Sequence, residues 1–102
     1  MNNSTKQTVL IVDDQESIRL ALSKMLSKEG YEVFMAESGE TALDILREKK
    51  INVMLSDLKM HKMDGLQLLK ASKLIKPEVE VILITAHGTI EKAVGAMKDG
   101  AY

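Results

Sequence analysis

Residues 9–14 read Val9-Leu10-Ile11-Val12-Asp13-Asp14, a run of four apolar side chains halted by two carboxylates. An apolar run without polar alternation suits a strand covered on both faces, as in a parallel sheet flanked by helices. Immediately downstream, Gln15 to Lys28 brings Ile18, Ala21, Leu22, Met25 and Leu26 back at intervals of three and four. That spacing predicts a helix, and Gly30 just beyond it supplies a left-handed stop. Val33 to Ala36 predicts a second strand, with Glu32 marking an exposed edge.

The two periods keep alternating along the chain. Ser38 is placed to cap a second helix carrying Ala42, Leu43, Ile45 and Leu46, which closes on the charged stretch Arg47 to Lys50. Ile51 to Ser56 predicts a third strand ending at Asp57. Asp64 with Gln67 three residues later forms a capping-box pattern ahead of Leu66, Leu68, Leu69, Leu74 and Ile75, and Pro77 follows the helix. Val79 to Thr85 is rich in β-branched residues and predicts a fourth strand. Ile90, Ala93, Val94 and Met97 make one face of a fourth helix that stops at Gly100. Strand and helix in strict turn, joined by short connections, call for an α/β fold: an open, doubly wound parallel sheet with helices on both faces.

The 102 residues suffice for a single domain, 1–102, in which polar residues 1–6 read as a flexible tail. A hydrophobic content of 45% supports a packed core and excludes disorder for the bulk of the chain. Fourteen Lys and Arg against fifteen Asp and Glu leave a net charge of −1, without the basic excess that attracts nucleic acid or anionic membranes. Direct binding to either is therefore not expected. The absence of cysteine excludes disulfides, thiolate metal sites and thiol nucleophiles. The first residues lack the apolar core of a secretory signal, and no apolar run approaches the ~18 residues of a membrane span, so the expected location is the cytoplasm.

In open parallel sheets ligands gather at the carboxyl ends of the strands. Asp13 and Asp14, Asp57 and Thr85 all fall there. Three carboxylates sharing one sheet edge repel one another by about 4 kcal/mol per pair at 4 Å and an effective dielectric near 20, so the cluster calls for protonation, wide spacing or a cation. Oxygen ligands without neighbouring Cys or His in sequence favour Mg2+, which takes one or two carboxylates and also binds phosphate oxygens. Asp14 alone, just before the first helix, equally satisfies an N-cap preference.

These residues carry a resemblance to the receiver domains of two-component response regulators. The acidic pair in Val9-Leu10-Ile11-Val12-Asp13-Asp14 matches, as does Leu55-Ser56-Asp57-Leu58-Lys59-Met60 followed by Met63-Asp64-Gly65. Val81-Ile82-Leu83-Ile84-Thr85-Ala86-His87-Gly88 and Gly100-Ala101-Tyr102 complete the pattern. Each piece is weak alone; their order and spacing together are specific. The Thr85-Ala86-His87-Gly88 run is similar to receivers of the nitrogen-regulator class.

The resemblance implies a flavodoxin-like strand order 2-1-3-4 and a phosphoacceptor signalling domain, not an enzyme. Asp57 would accept a phosphoryl group from a sensor histidine kinase. Asp14 and Asp57 would bind Mg2+ directly, Asp13 largely through water, and the backbone carbonyl of Lys59 would be a further ligand. Thr85 would contact the phosphoryl group and switch helix four, regulating transcription through an output portion. Gln15, Arg19 and Leu22, near helix one, would carry part of the kinase specificity. Gly65 and Gly88 read at least as readily as ordinary loop glycines as they do as residues that allow tight turns, His87 reads as a loop residue, and Met25, Met35, Met54 and Met97 as core filling.

Two departures from the family pattern stand out. His61 sits where the family has proline, which loosens the loop after Asp57 and bears on metal geometry. The family's fifth strand, with its phosphate-binding lysine, lies beyond Tyr102, so the expected architecture is a receiver truncated before that strand. A bare edge on strand four would then favour self-association or exchange of elements with a second copy. A second reading follows: a truncated or degenerate receiver acting as an interaction or oligomerisation module without phosphorylation. A third, a Mg2+ phosphohydrolase of another α/β family, lacks the Asp-x-Asp arrangement because Asp13 and Asp14 are adjacent.

Overall fold

A computed structural model describes residues 6–84 of the chain. Within them, β1 (Thr8–Val12), α1 (Glu16–Lys28), β2 (Glu32–Ala36), α2 (Gly39–Glu48), β3 (Val53–Asp57), α3 (Gly65–Ile75) and β4 (Glu80–Ile84) follow in turn. All strand pairs are parallel, in the order β2-β1-β3-β4. That is the strand order the resemblance implies. The predicted fourth helix and Thr85, at the end of the predicted fourth strand, lie outside the described residues.

β1 is central, and its alternation builds the two sides of the sheet. Val9 and Ile11 pack with Val53, Leu55, Leu22 and Leu26 under α1. Leu10 and Val12 point the opposite way and pack with Met54, Ala42, Leu46 and Leu68 under α2 and α3. All four β1 residues are essentially inaccessible, which is why the run shows no polar alternation. Burial of each such side chain contributes about 1.5–3 kcal/mol.

Local signals set the element ends. Gly30 has φ 96°, a left-handed conformation that only glycine adopts without cost, and it turns the chain from α1 to β2. The Ser38 hydroxyl accepts from the Thr41 amide to cap α2. At α3 the Asp64 carboxylate accepts from the Gln67 amide at 2.8 Å, and the Gln67 side chain accepts from the Asp64 amide at 2.9 Å, a complete capping box. Asn52 ties the amino ends of the strands together. Its side chain accepts from the Thr8 amide and its backbone carbonyl from the Glu80 amide.

Some side chains differ from the expectation. Leu22 is 1% exposed and belongs to the core, so its place on the amphipathic face of α1 removes it from any partner surface. Met54 is fully buried, but Met35 is 41% exposed because β2 is an edge strand. Met97 lies outside the described residues. No helix among the described residues is long and apolar enough to cross a membrane.

Candidate functional site

The register of the sheet assembles the acidic cluster. Val12 pairs with Ser56, so the residues that follow them, Asp13 and Asp57, leave adjacent strands at the same level. The chain departs from β1 toward β2 on one side and returns to β3 on the other, which makes this the crevice where strand order reverses. One carboxylate oxygen from each of Asp13, Asp14 and Asp57 lies within 4.8 Å of those of the other two.

Each carboxylate is held differently. Asp13 is buried; its Oδ1 accepts from the Gln15 amide at 2.9 Å, and its backbone carbonyl accepts from Arg19 Nη1 at 2.6 Å. Asp57 is half-buried, and its Oδ1 accepts from the Lys59 amide at 3.3 Å. Asp14 is also half-buried. It does not cap α1: Gln15 occupies the N-cap position, without a side-chain cap. The carboxylate oxygen Oδ2 of Asp14 lies 3.7 Å from Nε2 of the exposed His61.

The loop that returns from Asp57 to α3 is tightly constrained. The Leu58 amide donates to the Ile84 carbonyl and the Gly65 amide to the Leu58 carbonyl, both at 2.9 Å. Lys62 turns the chain at φ 66°, a left-handed conformation that favours glycine and costs a side-chain-bearing residue about 1–2 kcal/mol. Gly65 opens α3 and is neither a tight-turn glycine nor an ordinary loop glycine, the two readings the sequence left open. A Cβ there would lie 2.6 Å from the Asp57 carbonyl oxygen and 2.9 Å from Leu58 Cα, so glycine is required by the close approach of α3 to the β3 backbone.

Electrostatics favour a cation in the crevice. Burial, the largest influence, raises the Asp13 pKa above its ordinary value of 3.8; the hydrogen bond from Gln15 opposes this, the charges of Asp57 and Asp14 reinforce it, and Arg19 lowers it again. The donors are all oxygens, the set that suits a hard divalent ion such as Mg2+. A carboxylate with a raised folded-state pKa contributes stability below its unfolded pKa and loses that contribution as pH rises through the folded value. The stability advantage of Asp13→Asn over the parent should therefore grow as pH rises through the raised Asp13 pKa in chelator-treated protein. Urea unfolding at several pH values checks this. Adding Mg2+ at ten times its Kd should stabilise the parent by about 1.4 kcal/mol and the variant by less.

Of the residues singled out in the sequence, Asp13, Asp14 and Asp57 come together, and Lys59 joins them through its backbone amide. Thr85, His87 and Gly88 lie outside the described residues. Arg19, expected on a partner surface, instead anchors the Asp13 backbone. Its position six residues after Asp13, on the next turns of the helix, is the only trace of this in the sequence.

The chain matches the model of the response regulator receiver domain over residues 9–102. It is 45% identical over 92 residues to the DNA-binding transcriptional regulator NtrC of Klebsiella pneumoniae, covering 90% of this chain and 20% of that protein. It is 41% identical over 85 residues to sporulation initiation phosphotransferase F of Bacillus subtilis, covering 83% of this chain and 68% of that one. Against the crystal structure of a receiver domain protein from Clostridium thermocellum the TM-score is 0.75 at 35% identity, with 92% of this chain and 76% of that chain covered. The chain spans about a fifth of the length of transcriptional regulators such as NtrC. With the order β2-β1-β3-β4 and the acidic crevice between β1 and β3, these likenesses place the chain in the response regulator receiver domain family, beside receivers of the nitrogen-regulator kind.

Proposed function

We propose that the chain is the phosphoacceptor receiver of a cytoplasmic two-component system, taking a phosphoryl group from a sensor histidine kinase onto Asp57. The observation that carries this reading is the convergence of Asp13, Asp14 and Asp57 within 4.8 Å at the crevice where strand order reverses. An Asp57 carboxylate oxygen attacks phosphorus as the phosphorus–nitrogen bond of a phosphohistidine breaks. The electron pair leaves with the imidazole, which takes up a proton, and Asp57 becomes an acyl phosphate. Bound Mg2+ supplies charge neutralisation for the transferred group. Asp14, Asp57 and the Lys59 carbonyl are the proposed direct ligands, and Asp13 acts through water. The hydrogen bond from the Lys59 amide fixes the Asp57 carboxylate, and Arg19 holds the Asp13 backbone in place.

Thr85 is the proposed phosphoryl contact, shifting the population between two arrangements of helix four. The chain acts as a signalling domain, and control of transcription belongs to the assembly that receives its signal. Intact mass after incubation with acetyl phosphate tests the reading. One added phosphoryl group with Mg2+, lost in excess chelator, is the expected result. No addition to a protein shown to be folded would contradict it and favour an interaction module that is not phosphorylated.

One observation bears on that second role. Among the described residues β4 pairs on one side only, with β3, and a second copy could add there. Sedimentation across a concentration series checks it: a mass rising with concentration supports self-association through this edge, and a constant monomer mass removes it.

A further inference from the structure

Met63 joins two helices. It precedes Asp64, the N-cap of α3, and packs against the buried cluster that contains Leu68, so the pair holds the two positions of a hydrophobic staple at the start of α3. On its other side it rests on the first residue of α2: a Cβ at Gly39 would stand 2.6 Å from Met63 Sδ. We propose that Met63 is a redox modification site, oxidised by peroxides to the sulfoxide, and that the sulfoxide releases the start of α3 from α2. The proposal does not depend on phosphorylation of Asp57.

Access distinguishes Met63 from its counterparts. It lines a cavity of about 280 Å³ together with Glu40, Lys62 and Gln67. A water molecule needs only about 10–15 Å³ of free space, so a hydrogen peroxide molecule has ample room there. Met25 and Met60 are half-buried like Met63, but they pack against the core without lining this cavity. Met54 is fully buried. Met35 is exposed on the edge strand β2, where a polar sulfur disturbs little packing.

The chemistry is a two-electron oxygen transfer. A lone pair of Met63 Sδ attacks one peroxide oxygen, the sulfur–oxygen bond forms and the oxygen–oxygen bond breaks. The proton on the transferred oxygen passes to the departing hydroxide, so peroxide is reduced to water as the thioether becomes a sulfoxide. A sulfoxide oxygen is a polar acceptor and is costly to bury without a donor. Gly39 is buried and leaves no room on the α2 side, whereas the cavity offers donors. Gln67 is held by the capping box through Oε1, which leaves its amide nitrogen as a donor, and Lys62 brings an ammonium. Turning toward them draws the side chain away from Gly39 and from Leu68.

Graded hydrogen peroxide treatment of the whole chain tests the proposal in the parent, Met63→Leu and Met35→Leu, with sulfoxides located by peptide mass spectrometry and the urea midpoint read at each dose. Met63 should oxidise roughly threefold or more faster than Met25 and Met60, with Met54 last, because susceptibility follows access. At doses that spare Met25 and Met60, the midpoint should fall as Met63 sulfoxide accumulates in the parent and in Met35→Leu, and hold steady in Met63→Leu. Methionine sulfoxide reductases with a thiol reductant should restore it. Oxidation of Met63 no faster than that of Met25 and Met60 would overturn the proposal. So would a midpoint unchanged once Met63 is oxidised, or one that falls as far in Met63→Leu as in the parent.

Discussion

Asp57→Asn should abolish phosphoryl uptake from acetyl phosphate while making the metal-free fold more stable. An amide oxygen has the position of the carboxylate oxygen but not its charge or nucleophilicity, so the acyl phosphate cannot form. The local structure should survive, because the Asn carbonyl can still accept from the Lys59 amide. Stability changes for an electrostatic reason. Two like charges at 4 Å repel by about 4 kcal/mol at an effective dielectric near 20. Asp57 is half-exposed, and solvent screening reduces the net gain on its removal to about 1 kcal/mol. The same substitution should weaken Mg2+ binding, so that added Mg2+ reverses the order of stability. Urea unfolding with Mg2+ and with chelator, together with intact mass, measures all three effects. A variant that still takes up phosphate as the parent does would move the acceptor elsewhere.

Gly65→Ala should be the most damaging small substitution near the site. The added methyl would lie 2.6 Å from the Asp57 carbonyl oxygen, 2.9 Å from Leu58 Cα and 3.2 Å from Leu83 Cδ2. Two of these neighbours are backbone atoms of the segment that carries Asp57, and no side-chain rotation relieves them. Overpacking of this kind costs about 1–3 kcal/mol, and the upper part of that range is expected here. Relief requires α3 to move away from β3, stretching the bond from the Gly65 amide to the Leu58 carbonyl and displacing Asp57. Mg2+ affinity should therefore fall along with stability.

Gly39→Ala provides the comparison. Its Cβ would meet the Met63 side chain, with the sulfur at 2.6 Å, and a methionine chain can repack. Its cost should stay below about 1 kcal/mol with Mg2+ affinity retained, since flexible side chains absorb small volume changes. Equal losses in the two variants, by urea unfolding and Mg2+ titration, would show that the approach of α3 to Asp57 does not govern the site.

The sequence carried the architecture because local and tertiary signals agree. The apolar run at Val9 to Val12 reads as a doubly covered strand and is one, since both faces of β1 are packed. Glu32 correctly marks β2 as an edge, and Asp64 with Gln67 marks the start of α3. The gathering of Asp13, Asp14 and Asp57 follows from the same parallel order.

What the sequence did not carry depends on contacts between distant segments. Gly65 looks like any loop glycine until the β3 backbone is seen against it. Lys62 gives no sign of its left-handed conformation, because lysine has no preference for one. Arg19 and Leu22 share the same helix, yet one reaches the Asp13 carbonyl and the other enters the core. The approach of His61 to Asp14 joins two loops that only the sheet brings together.

Whether Asp57 itself takes the phosphoryl group is decided by reductive trapping. Borohydride cleaves an acyl phosphate and leaves homoserine where the phosphorylated aspartate stood, which peptide mass spectrometry then locates. After loading with acetyl phosphate and Mg2+, homoserine is expected at position 57 and should be absent when chelator replaces Mg2+. Homoserine at Asp13 or Asp14 instead, or at no position in folded protein, would contradict it.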